Sequence, residues 1–391
     1  KNHVAQTYSR PKQNNSKKIL ISHLEHHSNI VPWQIVCEQT QSSLEIAPIN
    51  NKGEIITEDL ISMIDESVVL VSISHVSNAL GSVSEVKKIV QAAHKNGVPV
   101  LVDGAQSIPH MKVDVRELNA DFYVFSGHKM HAPTGTGILY GKEDLLEPMQ
   151  KNALKIAKDA AAEFKDLDLM VCGDVANTNI FDPNDKSTFK ECQKMYEEQV
   201  IWAKEAGVDF IVAETINWVD EMKIALKAIK DEGLIAVANY AIPRGDLTRD
   251  GYTAEDACKI IEELGADVVG LNCYRGPKMT MKLLKEVRKK VSCHVAGLPV
   301  PYRTTEEEPG FLNQTDHDCD CIPGGNAFPV ALDNLFCNRF EMAEFAKDCL
   351  NQNINFIGIC CGAEAHHVLS LIHISEPTRP LYISYAVFCL K

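Results

Sequence analysis

Residues 356–362 read F-I-G-I-C-C-G, a short apolar run that ends in two adjacent cysteines, Cys360 and Cys361. Residues 268–273 read V-V-G-L-N-C and end a similar run in Cys273. Both runs have the length and composition of a buried strand. In α/β folds the carboxyl ends of the strands carry the active residues. Three thiols at such ends predict three ligands of a catalytic zinc site with an open fourth position.

Composition narrows the class of protein. The chain has 391 residues, which is typical of two or three domains, and a net charge of −14. This acidic balance argues against nucleic acid or an anionic membrane surface as partner, because both require a basic face. The 13 cysteines, together with residues 1–18 that lack a signal peptide, predict reduced thiols in a cytoplasmic protein. We therefore expect small-molecule substrates.

Strands and helices alternate six times after residue 150. The predicted strands are 169–174, 210–214, 234–239, 267–273, 294–299 and 356–361. The predicted helices include 151–164, 189–206, 220–232, 254–264 and 281–290. Repeated βα units indicate either a barrel or a doubly wound sheet. The adjacent cysteines could also be simple core residues, since free cysteine packs readily in apolar surroundings.

Three short motifs in this part carry a family resemblance. They are A-E-T at 213–215, G-L-N-C at 270–273 and G-I-C-C-G at 358–362. Residues 151–368 thereby resemble the homocysteine S-methyltransferase family, and its betaine-dependent branch in particular. The resemblance implies a TIM (β/α)8 barrel that here lacks its first two βα units. It also implies zinc-dependent methyl transfer from a betaine-like donor to the homocysteine thiol, giving methionine.

The resemblance assigns roles to five residues of this sequence. Cys273, Cys360 and Cys361 correspond to the ligands of Zn²⁺. Glu214 corresponds to the catalytic and substrate-binding residue that holds the homocysteine amine, and Asn272 corresponds to a second substrate-binding residue. Six strands cannot close an eight-stranded barrel, so we expect two exposed sheet edges.

The first 149 residues follow a separate α/β pattern. Predicted strands at 17–22, 68–74, 98–103 and 121–125, with a helix at 84–96, indicate a parallel sheet. Asp103 and Lys129 follow two of these strands. A lysine that forms a Schiff base and a carboxylate that keeps the ring nitrogen protonated suit pyridoxal 5'-phosphate.

Four motifs in this part resemble class V aminotransferase-fold enzymes, and the group II cysteine desulfurase and selenocysteine lyase branch most. They are E-H-H-S-N at 25–29, H-V-S-N at 75–78, V-D-G-A-Q at 102–106 and F-Y-V-F-S-G-H-K at 122–129. The resemblance covers residues 17–149 and implies a partial PLP-transferase domain that acts on cysteine. It implies a catalytic Lys129 within a cofactor-binding set of His26, Asn78, Asp103, Gln106, Ser126, His128 and Lys129.

We therefore predict three segments: a desulfurase-like domain at 1–149, a partial methyltransferase barrel at 150–368 and a tail at 369–391. The tail resembles a translated sequencing adapter, and we expect it to form no element of the fold. Methyl transfer to homocysteine is the first hypothesis, cysteine desulfuration the second, and an inactive fusion of two truncated enzymes the third. Both families imply homo-oligomers. His366 and His367 are expected to face solvent, and Cys319 and Cys321 to lie in a surface loop.

Overall fold

The computed structural model describes residues 17–130, 136–164, 169–243, 245–316, 325–328 and 331–375. The chain divides into two compact units, Lys1–Ala153 and Leu154–Lys391. Each contains a sheet of six described strands covered by helices, so the fold is mixed α/β with two parallel-sheet domains, as predicted. Within the described ranges no helix is both long and apolar enough to cross a membrane.

The first unit is built on a mostly parallel sheet. Its strands are β1 (Lys18–Ser22), β2 (Ser43–Ala47), β3 (Val68–Ser74), β4 (Val100–Asp103), β5 (Phe122–Ser126) and β6 (Gly137–Gly141). Its helices are α1 (Val31–Thr40), α2 (Thr57–Ser62), α3 (Val86–Lys95), α4 (Ser107–His110) and α5 (Val115–Leu118), with 3-10 turns at His27–Asn29 and Gly127–Met130. Helix α6 (Glu143–Glu163) contains the unit boundary.

The strand order of this sheet is β2-β1-β3-β4-β5-β6, and only the β5–β6 pair is antiparallel. The order reverses between β1 and β3, which creates a topological switch point. Ligands of open α/β sheets bind in the crevice outside the carboxyl ends of the strands at such a point. The loops that follow β1 and β3 are therefore the expected walls of a binding site.

Helix α3 shows why this sequence folds as it does. Val86, Ile89, Val90 and Ala93 recur at helical spacing and are all buried against the sheet. The intervening residues are polar except for Ala92, so one stripe of the helix faces the core and the other faces water. The predicted helix at 84–96 is confirmed, with ends one or two residues further in.

The second unit continues the βα alternation. Its strands are β7 (Cys172–Ala176), β8 (Phe210–Ile216), β9 (Ala236–Tyr240), β10 (Val268–Asn272), β11 (His294–Leu298) and β12 (Phe356–Ile357). Its helices are α7 (Lys186–Glu205), α8 (Val219–Asp231), α9 (Ala254–Glu263), α10 (Pro277–Lys290), α11 (Arg339–Asn351) and α12 (Ala365–Ser375), with 3-10 turns at Phe311–Asn313 and Asp333–Leu335.

The strands β7 to β12 are all parallel and pair strictly in chain order. Consecutive order is that of a barrel, whereas a doubly wound sheet reverses its order. The sheet also curls. The rings of Phe210 on β8 and Phe356 on β12 lie 6.2 Å apart. A flat sheet would separate these strands by about 19 Å, that is, four strand spacings. The inner face is therefore concave, with β7 and β12 as its described edges.

Three expectations about segment ends need correction. The helix predicted at 151–164 is observed as α6, which begins eight residues earlier. Pro148 lies inside this helix and does not end it. The strand predicted at 356–361 ends at Ile357, so both cysteines lie in the following loop. The tail was expected to form no element, but residues 369–375 complete α12 and Leu371 is buried in the core. Residues 376–391 lie outside the described part, and the adapter resemblance stays a prediction.

Candidate functional site

Three cysteines come together at the carboxyl ends of β10 and β12. The Sγ atoms of Cys273 and Cys361 are 3.8 Å apart, and so are those of Cys360 and Cys361. All three sulfurs lie within 4.8 Å of one another. Cys273 is buried, while the other two are half-buried. Among the described residues this is the cluster whose ligand atoms could hold a metal ion.

An unusual backbone conformation brings Cys273 into the cluster. Successive residues of a strand point to opposite faces, so Asn272 and Cys273 would normally diverge. Cys273 and Tyr274 instead have φ values of 60° and 56°. This left-handed turn follows directly after the last ladder bond, from Cys273 N–H to the Leu298 carbonyl. Both Asn272 and Cys273 therefore face the same site, at the cost of backbone strain of the kind found at functional sites.

Two glycines let the loop after β12 approach the cluster. A Cβ on Gly358 would lie 2.9 Å from the Cδ2 atom of Leu298, so a larger residue there would have to displace that side chain. Gly362 has φ +89°, and a Cβ there would lie 2.3 Å from the Tyr302 hydroxyl. The Tyr302 ring is itself fixed by stacking on Phe311, with ring centroids 5.3 Å apart. These contacts explain the two glycines that flank I-C-C in the sequence.

Asn272 is the polar hub of the site. Its Oδ1 accepts the Thr215 N–H at 2.9 Å, and its Nδ2 donates to Thr215 Oγ1 at 3.0 Å. The same Nδ2 donates to Glu214 Oε2 at 3.0 Å and contacts Cys360 Sγ at 3.8 Å. Thr215 has φ 59°, which is exceptional for a β-branched residue and turns both Glu214 and Thr215 toward Asn272. The predicted substrate residues and the predicted metal ligands thus form one connected cluster.

Cys273 and Cys360 are held in their protonated forms in the absence of a cation, because the pKa of each thiol is raised. The hydrogen bond from Cys360 lowers the pKa of Cys273, but the contact with Cys361 and burial outweigh it and raise that pKa to about 12. The contacts of Cys360 with Cys273 and Cys361, and then burial, raise the Cys360 pKa well above its usual range. Three neighbouring thiolates would repel one another in a buried site, so ionisation of this set calls for a bound cation.

Two histidines, His366 and His367, follow the cysteine cluster in the chain. His367 is fully buried, which corrects the expectation that it faces solvent. Its Nδ1 accepts the Glu364 N–H at 3.0 Å, and its Nε2 bonds the Cys337 carbonyl at 2.8 Å. His366 is half-exposed. The predicted loop cysteines Cys319 and Cys321 lie outside the described residues.

The first unit has a cavity of about 610 Å³ at its switch point. Every residue predicted there to bind a cofactor lines it: His26, Asn78, Asp103, Gln106, Ser126, His128 and Lys129. They follow β1, β3, β4 and β5, so the strand ends bring together side chains that are about 100 positions apart in the sequence.

A buried polar network, which sequence reasoning missed, supports one wall of this cavity. The carboxylate of Glu25 accepts from the hydroxyl of Ser22 at 2.6 Å, the amide of Asn29 at 2.6 Å and the hydroxyl and N–H of Ser74 at 2.7 and 3.0 Å. Burial raises the pKa of Glu25 despite these donors. The network fixes the turn that carries His26. The sequence signal that could have indicated this network is Glu25, the first residue of E-H-H-S-N.

A second buried group lies beneath Asp103. The Tyr123 hydroxyl bonds His75 Nδ1 at 2.9 Å and Ser107 Oγ at 2.6 Å. Burial raises the pKa of Tyr123 to about 12, so its hydroxyl stays protonated. A Cβ on Gly104 would lie 2.0 Å from the Tyr123 ring, which explains the glycine of D-G-A-Q. The turn that carries Asp103 thus packs against the Tyr123 side chain, whose position these hydrogen bonds fix.

Two family models match the chain. The model described as Homocysteine S-methyltransferase matches residues 129–373, and the model described as Aminotransferase class-V matches residues 1–157. The two matches overlap in the region of α6. Each model therefore corresponds to one of the two clusters described above.

Cysteine desulfurases among the curated proteins are similar to the first part of the chain. A probable cysteine desulfurase of Halalkalibacterium halodurans is 50% identical over 149 residues, which are 38% of this chain and 37% of that protein. A cysteine desulfurase of Cronobacter sakazakii is 45% identical over 148 residues, 38% of this chain and 36% of that protein. A crystal structure of the Escherichia coli cysteine desulfurase CsdA (S-sulfonic acid) is 39% identical, with 38% of this chain and 37% of that chain covered and a TM-score of 0.36. The chain thus spans less than two-fifths of the length of these relatives.

Proposed function

Because the chain belongs to the homocysteine S-methyltransferase family, we propose that its second unit transfers a methyl group to the thiol of homocysteine. The observation that carries this proposal is the cluster of Cys273, Cys360 and Cys361 beside the Glu214–Asn272 pair. The acceptor is homocysteine and the donor is betaine-like. The sulfur–carbon bond forms as the carbon–nitrogen bond of the donor breaks, its electron pair leaves on nitrogen, and the product is methionine.

The three sulfurs fit a zinc ion. Zinc–thiolate bonds of about 2.3 Å in a tetrahedron place neighbouring sulfurs about 3.8 Å apart, since the edge is about 1.63 times the bond. The Sγ atoms of Cys273 and Cys360 each lie 3.8 Å from that of Cys361, which agrees with this edge length. When bound in such a set, zinc lowers the pKa of a thiol at its fourth position, so that an acceptor thiol is ionised near neutral pH.

Glu214 and Asn272 are proposed to orient the acceptor. Glu214 is buried, and a buried carboxylate is most stable beside a positive charge. The ammonium of homocysteine supplies that charge. Asn272 holds one oxygen of Glu214 and reaches Cys360 through the same amide nitrogen, so it fixes the distance between the ammonium site and the thiol site.

Metal analysis of purified variants tests the site. We expect the wild-type chain to bind one zinc and each of Cys273→Ala, Cys360→Ala and Cys361→Ala to bind little. Cys349→Ala is the matched control, because Cys349 is fully buried in α11 and lies outside the cluster. It is expected to lose stability but keep its zinc. Full metal content in a cluster variant would overturn the assignment, and absence of methionine formation from homocysteine and betaine would overturn the activity.

A second function, in the first unit, is favoured by the cavity at the switch point. Its lining includes Lys129, Asp103 and His26, which suit attachment, ring-nitrogen pairing and stacking of pyridoxal 5'-phosphate. This supports binding of the cofactor and chemistry on cysteine as substrate. Cys37, the one cysteine of residues 1–149, is buried, and burial raises its pKa, so it does not suit a reactive thiol.

Cofactor uptake tests this second proposal. After incubation with pyridoxal 5'-phosphate and borohydride reduction, peptide mass spectrometry is expected to find the cofactor on Lys129. Lys129→Ala should abolish the labelling. Lys95→Ala is the control, since Lys95 is exposed on α3 and does not line the cavity. Equal labelling of wild type and Lys129→Ala would contradict the proposal.

A further inference from the structure

Asn239 on β9 carries a buried side-chain amide that the sequence motifs of the second unit do not include. It is fully buried, and neither its Nδ2 nor its Oδ1 has a hydrogen-bond partner among the described residues. Resting on the proposed function, we propose that Asn239 is a positioning residue for Glu214, and that its amide donates to the Glu214 carboxylate when the ammonium of homocysteine is bound.

The sheet register places the two side chains next to each other. Ala213 on β8 pairs with Ala238 on β9, and Ile216 pairs with Tyr240, so the register shifts between them and Glu214 and Thr215 both lie opposite Asn239 on the adjacent strand. On the other side, Asn239 pairs with Gly270 on β10. Gly270 offers no side chain, and a Cβ there would lie 2.0 Å from the Ala296 carbonyl oxygen. Of the two β8 residues opposite Asn239, Thr215 has its hydroxyl bonded to Asn272, and Glu214 carries the carboxylate.

Alternation shows that both residues point to the concave face. Phe210 and Val212 on β8 and Val237 on β9 belong to the inner apolar cluster. Glu214 and Asn239 follow at intervals of two, which keeps them on the same face. Tyr240 belongs to the outer cluster beneath the helices, as the opposite parity requires. Asn239 therefore lies at the mouth end of the inner face, beneath the site and not among the helices.

The unpaired amide contrasts with its neighbour. Both amide atoms of Asn272 are bonded, whereas both of Asn239 are free among the described residues. An unpaired buried amide destabilises a fold, so native structures rarely keep one without a purpose. Cross-strand neighbours on one face lie within reach of a rotamer change. A carboxylate that turns to meet an ammonium needs a donor on its other side, and the Asn239 amide supplies two N–H groups.

The test compares homocysteine with 4-mercaptobutanoate, which has the same thiol and carboxylate but no ammonium. Binding to the zinc-loaded wild type and to Asn239→Leu is measured by calorimetry. We expect the replacement to weaken homocysteine about tenfold, the lower end of the effect of supporting groups on ligand sites. Affinity for 4-mercaptobutanoate should stay unchanged, and the unliganded variant should melt at a higher temperature because the orphan amide is gone.

Other variants keep the test decisive. Asn239→Ser, which is smaller and polar, replaces the leucine variant if that one fails to fold, with circular dichroism and zinc content as checks. In the background of Glu214→Gln, the Asn239 replacement should have no further effect on homocysteine, since the two residues act together. Equal weakening of both thiols, or an unchanged preference for homocysteine, overturns the inference. A wild type that binds neither thiol overturns the proposed function itself.

Discussion

Replacing Asn272 with alanine is predicted to weaken zinc binding without touching a metal ligand. The change removes the hydrogen bonds to Glu214 and Thr215 and the contact with Cys360 Sγ. It also leaves the Thr215 N–H, which Asn272 Oδ1 accepts at 2.9 Å, without its acceptor. Because Thr215 is held at φ 59°, loss of that bond releases the strained turn beside the site.

The magnitude follows from these contacts. A hydrogen bond to a charged group contributes about 1.5–3 kcal/mol, and an unpaired buried donor costs about 1–3 kcal/mol. Since the two effects overlap, we expect the free energy of unfolding of the second unit to fall by about 3 kcal/mol. Supporting groups of metal ligands typically change metal affinity by about 10- to 100-fold, equivalent to about 1.4–2.8 kcal/mol. Zinc affinity should fall within that range.

Competition with a chromophoric chelator gives the zinc affinity, and urea titration gives the stability. Asn217→Ala is the matched control: Asn217 is also buried, and its amide donates to the Ala241 carbonyl at 2.6 Å, away from the sulfurs. It should lose stability and keep wild-type zinc affinity. Equal zinc affinity in Asn272→Ala and wild type, at comparable loss of stability, would refute the view that Asn272 fixes the cluster.

Two further changes probe the surroundings of the cluster. Gly362→Ala should destabilise the second unit by about 2–3 kcal/mol in urea titration, because φ is +89° and the new methyl group meets the Tyr302 hydroxyl. The control Gly233→Ala should cost about 1 kcal/mol, because Gly233 has φ +73° but open space around it. Equal losses of stability in the two variants would contradict the role of the Tyr302 contact. Burial lowers the pKa of His367, so the stability that its neutral form provides is present above its usual value near 6.5 and is lost as pH falls toward the lowered pKa. This loss is at most about 1.4 kcal/mol per pH unit. Between about pH 7.5 and 5 the free energy of unfolding should therefore fall less steeply with falling pH in His367→Gln than in the wild type. An identical pH dependence in the two proteins would show that His367 does not contribute to it.

Much of the fold could be read from the sequence because apolar runs and helical periodicity dominate it. The strand predicted at 68–74 is observed as Val68–Ser74, and the helix at 254–264 as Ala254–Glu263. The sequence analysis does not predict strands β2 (Ser43–Ala47) and β6 (Gly137–Gly141), because β2 has no continuous apolar run and the run of β6 is only three residues long between two glycines. Both strands lie at the sheet edges, where a strand does not need the long buried apolar run of a central parallel strand.

The residues of the candidate sites could also be predicted only in part from the sequence. Strand ends predicted which side chains would gather, and the structure brings Cys273, Cys360 and Cys361 within 4.8 Å. The left-handed turns at Thr215 and Cys273 could not be predicted, since neither residue type favours positive φ. The burial of His367 could not be predicted either, because the Cys337 carbonyl that its Nε2 bonds lies 30 residues away in the chain. Local pattern thus gives the strand and its end, while the direction of each side chain there depends on tertiary contacts.

X-ray absorption at the zinc edge tests the central claim most directly, because it measures the ligands of the bound ion. The three-cysteine cluster predicts three sulfur neighbours at about 2.3 Å in the zinc-loaded chain. Addition of homocysteine should raise the sulfur count to four. A spectrum with one sulfur or none in the zinc-loaded chain, or a count that does not change when homocysteine is added, would contradict the account.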